Sequence, residues 1–203
     1  IIIPATIYVL SYIPYMASNP DKTLIQIVLE NQEYMFSYHS ELTATHPYGS
    51  EWWSWPVIQR PIWYYYGSDA AEGMRSTIVS MGNPLIWWLG IPCVFLSAYF
   101  AWRNRDKKMV VFYVAFALQY APWILINRVC FIYHFFTSVP FIIFMIVYVF
   151  KNLIEKGIIK QYVLWIYLAL VMILFAMYYP VLTGIHVKET YVETLRLFSS
   201  WYF

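Results

Sequence analysis

Four apolar stretches run far enough along this chain to cross a bilayer before a charged side chain interrupts them. Pro84–Trp102 has 19 residues, Met109–Ile126 has 18 and Tyr162–Tyr179 has 18, all free of acidic, basic and histidine side chains. Val129–Phe150 has 22, with His134 as its one titratable base. About 20 residues of helix cover the hydrocarbon core. Lipid offers no partner for the unpaired backbone groups of an open sheet, so these stretches are predicted to be helices. A fifth apolar run, Ile1–Met16, starts at full strength and has 16 residues. It lacks the basic flank and small-residue cleavage site of a signal peptide. It is expected to be part of a transmembrane helix whose first turn or more lies outside this chain.

The stretch between the first and second runs, Ala17–Asn83, is the least lipid-like. Asn19-Pro20-Asp21 predicts a helix start, with Asn19 as N-cap and Asp21 at the positive dipole end. Leu24, Ile25, Val28, Leu29, Tyr34 and Met35 then recur at helical spacing, with Glu30, Gln32 and Glu33 largely elsewhere on the wheel. The pattern predicts an amphipathic helix, lying either on the outer membrane surface or on the protein's own outer region. Pro47, Gly49, Pro56, Pro61, Gly67 and Gly73 break any long helix after it. The expected organisation is one all-α membrane domain over 1–203. It comprises a partial helix at 1–16, an outer loop at 17–83, four transmembrane helices over 84–179 and an outer tail at 180–203.

Composition agrees: 61% of residues are hydrophobic and 12% charged, against about a quarter charged in soluble domains. The net charge of +2 gives no reason to expect a nucleic-acid partner. Cys93 and Cys130 sit in apolar surroundings and read as buried small hydrophobes. The distribution of charge is more informative than its sum. The connections around 103–108 and 151–160 hold seven Lys and Arg against Asp106 and Glu155, a net of +5. The remainder holds six basic and nine acidic residues, a net of −3. The positive-inside rule assigns both short connections to the cytoplasm, and the long loop, the Asn127–Arg128 corner and the tail to the outside.

One outer segment stands out. His46–Tyr66 reads HPYGSEWWSWPVIQRPIWYYY, with seven aromatics between Trp52 and Tyr66 and with His46, Glu51 and Arg60 interleaved. Trp and Tyr favour the membrane interface, so an anchoring belt is one reading. The polar groups among the rings, and Pro56 and Pro61 framing Arg60, favour a rigid binding site.

This segment resembles the outer-loop signature of protein O-mannosyltransferases. MGNPLIWW (Met81–Trp88), RVCFIYHFFTSVPF (Arg128–Phe141), YYPVLTG (Tyr178–Gly184) and SSWYF (Ser199–Phe203) resemble that family too, in the same order. The resemblance implies the C-terminal half of a GT-C fold. It also implies an enzyme that moves mannose, with inversion, from polyprenyl- or dolichyl-phosphate mannose to Ser or Thr hydroxyls of proteins on the outer face. Eukaryotic members insert a large soluble domain in the outer loop. The loop here is only Ala17–Asn83, which fits the bacterial type and a multi-pass protein of the bacterial cell membrane. The family's catalytic acidic pair lies in the first outer loop, near the N-terminus. No residue of this chain inherits that role, the other half of the enzyme becomes a required partner, and the chain alone is expected to be inactive.

Transfer from a lipid phosphate needs a base for the acceptor hydroxyl and cations for the departing phosphate. An arginine fork meets phosphate oxygens with two parallel hydrogen bonds. Arg60 and Arg128 are the candidate donor-phosphate contacts, although interfacial arginines also snorkel to headgroups. His134, near the outer end of its helix, is a site candidate by its depth or a packing residue among aromatics. His46 and Glu51 either bind acceptor peptide or shape the loop. Trp52, Trp53 and Trp55 either stack on sugar, line the lipid path or anchor the loop. No spacing calls for a metal or another cofactor. Two rivals remain: another lipid-phosphate-sugar-dependent GT-C glycosyltransferase, and a non-enzymatic or transport subunit. Helix centres without charges disfavour transport.

Overall fold

The computed structural model describes residues 2–203; Ile1, where the first apolar run begins, lies outside the described residues. Four helical stretches are long and apolar enough to span a membrane: Pro84–Arg103, Lys108–Leu125, Ile132–Glu155 and Gln161–Thr183. They match the four central runs of the sequence to within a few residues. The first run is helical but shorter, and it is broken into α1 (Ile2–Leu10) and α2 (Ile13–Met16). Pro14 explains the break, because it has no N–H to offer and its ring crowds the carbonyl four residues back, at Leu10.

Chain contacts divide the protein into two compact units, Ile1–Ala44 with Ile126–Arg128, and Thr45–Leu125 with Val129–Phe203. In the first unit, α3 (Leu24–Glu41) follows α2. It starts at Thr23, not at Asn19 as the Asn-Pro-Asp triplet predicts. The Thr23 hydroxyl accepts from the Gln26 N–H at 3.3 Å, and the Gln26 amide oxygen accepts from the Thr23 N–H at 2.9 Å. This capping box satisfies two orphan donors where a lone Asn satisfies one. Asn19 instead donates to the Tyr15 carbonyl at 3.1 Å, finishing α2. Gln32 donates to the Tyr8 hydroxyl at 2.7 Å, tying α3 to α1.

The second unit is built on α4 (Pro84–Arg103) and α6 (Val139–Glu155). Buried α4 residues Trp87, Gly90, Cys93, Ser97 and Phe100 recur every three or four positions. Ile142, Met145, Ile146, Val149 and Asn152 do the same on α6. Gly90 permits close approach, since a Cβ there would stand 2.3 Å from Ile142 Cγ2. By contrast α5 (Lys108–Tyr120) buries only Met109, and α7 (Gln161–Thr183) only Tyr178 and Val181. Their outward faces are apolar, as lipid contact requires.

The α-helices do not run through to every span end. α5 tightens into a 3-10 turn over Ala121–Leu125, and a 3-10 helix over Ile132–Ser138 leads into α6. His134 therefore sits on this tight entry turn and not within the α-helix. Two small sheets, absent from the all-α expectation, organise the loop. β1 (Ile62–Tyr66) pairs antiparallel with β3 (Thr77–Ser80), with an irregularity between Trp63 and Tyr65. β2 (Met74–Arg75) pairs with β4 (Val187–Lys188), which is followed by α8 (Glu189–Thr194). The second pair joins the loop to the tail.

Candidate functional site

The aromatic segment folds as a clamped loop. Gly49 N–H closes a turn onto the His46 carbonyl at 2.9 Å, and the Tyr48 N–H bonds the His46 Nδ1 at 3.2 Å. Only glycine fits at 49, where a Cβ would come within 2.8 Å of Val129 Cγ2 and 3.1 Å of the His46 carbonyl. Ser50 N–H then hooks onto the Cys130 carbonyl at 2.8 Å. The Glu51 carbonyl accepts from Ser54 and starts a 3-10 turn over Trp52–Ser54, while the side chain itself stays exposed. Desolvation raises the Tyr48 hydroxyl above its ordinary pKa, so it stays neutral.

The three tryptophans separate by role. Trp55 is 1% exposed, with its indole N–H on Ser50 and its ring edge-on to Trp123 at 5.6 Å. Trp52 is half-buried against Tyr120, whose hydroxyl donates to the Trp52 carbonyl at 2.8 Å. Trp53 is 58% exposed and free to meet a ligand or lipid. His134 stacks on Trp123 with ring centroids 4.1 Å apart and lies 5.9 Å from Trp55, within the same aromatic cluster.

Beyond Trp55, three successive carbonyls are each taken by a distant side chain. Trp88 donates to Val57 at 3.1 Å, Trp201 to Ile58 at 2.7 Å, and the Ser200 hydroxyl to Gln59. Ile58 is held at φ 55, in the left-handed region that β-branched residues avoid. Arg60 follows directly. Its Nη1 donates to the carbonyls of Pro47 at 3.0 Å and Gly49 at 3.4 Å, which straps the loop's two ends together. The guanidinium is exposed and meets no carboxylate among the described residues. A fixed fork with donors to spare suits an anionic oxygen.

The structure thus gathers His46, Glu51, Trp52, Trp53, Trp55, Arg60 and His134 into the second unit. Arg128 clusters with the first unit, half-buried in a bend, with no ion pair among the described residues. Two further arginines of the second unit, Arg75 and Arg196, are held on the backbone. Both donate to the Phe203 carbonyl, and Arg75 also pairs with Glu189. No local signal marks these contacts, because Arg75 and Phe203 are 128 residues apart. Among the described residues no three His, Cys, Asp or Glu side chains gather as a metal site would need.

A groove of about 500 Å³ lies on the second unit, lined by Gly82, Asn83, Trp87, Phe136, Ile143 and Phe144 among others, and almost wholly apolar. It runs along α4 and the start of α6.

A family model described as the C-terminal four-TMM region of protein-O-mannosyltransferase matches residues 24–201. A polyprenol-phosphate-mannose–protein mannosyltransferase of Corynebacterium glutamicum is 26% identical over 99% of this chain and 46% of its own length. One from Mycobacterium tuberculosis is 27% identical over 93% of this chain and 43% of its own length. The chain therefore spans about half the length of these curated relatives. A solved structure of the Saccharomyces cerevisiae protein O-mannosyltransferase Pmt1–Pmt2 complex bound to the sugar donor shares the fold. Its TM-score is 0.73 at 20% identity, covering 90% of this chain and 27% of that one. With its four membrane helices and a family match over most of its length, the chain belongs to the protein O-mannosyltransferase family, as that family's C-terminal four-transmembrane region.

Proposed function

We propose that this chain is the C-terminal membrane half of a bacterial enzyme that transfers mannose from polyprenyl-phosphate mannose to Ser or Thr hydroxyls of proteins. Both named bacterial relatives are polyprenol-phosphate-mannose–protein mannosyltransferases. The acceptor hydroxyl attacks the anomeric carbon, the bond from that carbon to the phosphate oxygen breaks, and the lipid phosphate leaves with the electron pair. A base takes the hydroxyl proton; it belongs to the other half of the enzyme. Arg60 stabilises the leaving phosphate. Trp53 and Glu51 meet sugar or acceptor, and His46, Trp52, Trp55 and His134 support the loop. The lipid chain lies in the apolar groove beside Trp87 and Phe136.

The positive-inside distribution supports an outer-face site, with the loop and tail outside the bacterial cell membrane and the connections around 103–108 and 151–160 inside. The observation that carries the proposal is the clamped loop: an exposed guanidinium fixed on two carbonyls within an aromatic frame. The test is mannosyl transfer by the full-length enzyme from a polyprenyl-phosphate mannose donor to a Ser/Thr peptide. Loss with Arg60→Ala in normally folded protein supports the assignment, and unchanged turnover removes it.

A further inference from the structure

We propose that the basic collar at the end of the bundle where α4 and α6 finish binds the phosphate headgroups of anionic phospholipids in the adjoining leaflet. This rests on the membrane-spanning fold alone, not on the transferase assignment. The two basic connections are brought together by a part-buried contact. Asn104, just past α4, donates to the Asn152 side-chain oxygen on α6 at 2.5 Å, and Asn152 is 3% exposed. Lys156 Nζ lies 4.6 Å above the Phe100 ring, joining the two helix ends again.

The acids at this end are already engaged. Asp106 accepts from the Lys108 N–H at 3.0 Å, and Glu155 lies 3.8 Å from Lys151. Arg103, Arg105, Lys107, Lys108 and Lys160 are exposed and have no carboxylate partner among the described residues. Arg105 holds φ 54, a left-handed conformation in which Gly or Asn is the ordinary choice, yet an arginine stands there. The Asp106 N–H on the Ala101 carbonyl at 2.9 Å locks that turn, so its basic side chains project from a fixed backbone.

The same end carries its own depth marker. Trp102, Tyr162 and Trp165 are 76%, 58% and 61% exposed, respectively, next to the two connections. Exposed Trp and Tyr at helix ends sit at headgroup level. The basic side chains are therefore at the height of lipid phosphates, and each strengthens attachment to an anionic surface about fivefold.

The test reconstitutes the full-length protein in nanodiscs of equal phosphatidylglycerol and phosphatidylcholine, then counts the lipids retained after release by native mass spectrometry. The wild type should retain phosphatidylglycerol at least about fivefold over phosphatidylcholine. Replacing Arg103, Arg105, Lys107 and Lys108 together by Gln should abolish that preference, whereas Lys22→Gln with Lys188→Gln should leave it intact. Equal retention of both lipids by the wild type, or full preference in the fourfold variant, overturns the proposal. If the fourfold variant does not accumulate, Arg105→Gln and Lys107→Gln are tested singly. Each must lower the preference, and failure of both to do so overturns it. Displacement of the lipid by millimolar glycerol phosphate would mark a free-phosphate site instead.

Discussion

The indole of Trp201 donates a 2.7 Å hydrogen bond to the carbonyl of Ile58, 143 residues earlier in the chain, and both residues are at most 1% exposed. Ile58 holds a left-handed backbone conformation, which costs a β-branched residue on the order of 1–2 kcal/mol. Such a conformation persists only where its surroundings over-determine it. Here the tail does so: Trp201 fills the space behind Ile58 and Ser200 takes the next carbonyl, leaving Arg60 fixed at the exit of the turn.

Trp201→Phe keeps most of the buried ring and removes only the indole donor. The Ile58 carbonyl then stays buried without its partner, which costs about 1–3 kcal/mol. Thermal unfolding of the purified full-length protein should show the loss. Because Arg60 leaves the same turn, the donor KM should rise in the protein that remains folded. An unchanged melting midpoint would show that the tail does not clamp the loop.

Arg60 is exposed, so its two carbonyl contacts contribute about 1 kcal/mol to folding. Its proposed contact with the leaving phosphate is worth far more in the transition state. Arg60→Ala should lower kcat/KM for the lipid donor about 100-fold with little change in melting midpoint. Arg60→Lys should recover part of that, since charge survives and the planar fork does not. Steady-state kinetics at varied donor concentration reads both. Equal activity in all three proteins would move the phosphate site elsewhere.

Much of this fold was legible in the sequence, because a bilayer permits few solutions. An uninterrupted apolar run of 18 residues or more has one backbone conformation available to it, and the four spans follow. Local signals that compete were harder to rank. Asn19-Pro20-Asp21 looks like a helix start, but Thr23 with Gln26 supplies the reciprocal pair. Ile62–Tyr66 shows no alternation of polar and apolar residues, so it gave no strand signal, although it pairs with Thr77–Ser80. The aromatic loop was recognisable as rigid from Pro56 and Pro61. What rigidifies it most comes from Trp88, Ser200 and Trp201, and contacts over such separations leave no periodicity to find.

The two rival helix starts make a direct experiment. Thr23→Ala removes an N-cap side chain and should cost α3 about 1 kcal/mol, whereas Asn19→Ala should cost α3 nothing measurable. Hydrogen exchange of the first-turn amides of α3 resolves the two. Faster exchange in the Asn19 variant alone would put the cap back at the Asn-Pro-Asp triplet.

Gly90 and Ile142 control how closely α4 and α6 approach. A Cβ added at Gly90 would stand 2.3 Å from Ile142 Cγ2, so Gly90→Ala forces the helices or that side chain to move. Overpacking of this kind costs about 1–3 kcal/mol. The clash falls on the β-branch of Ile142, and Ile142→Leu removes that branch while conserving volume, at under about 1.5 kcal/mol by itself. The double variant should therefore be more stable than the sum of the single losses predicts, a coupling that contacting residues show and distant ones do not. Unfolding midpoints of the four proteins in one detergent give the cycle directly. Strictly additive losses would mean that the interface yields at Gly90 by shifting backbone, and that Ile142 does not set the spacing.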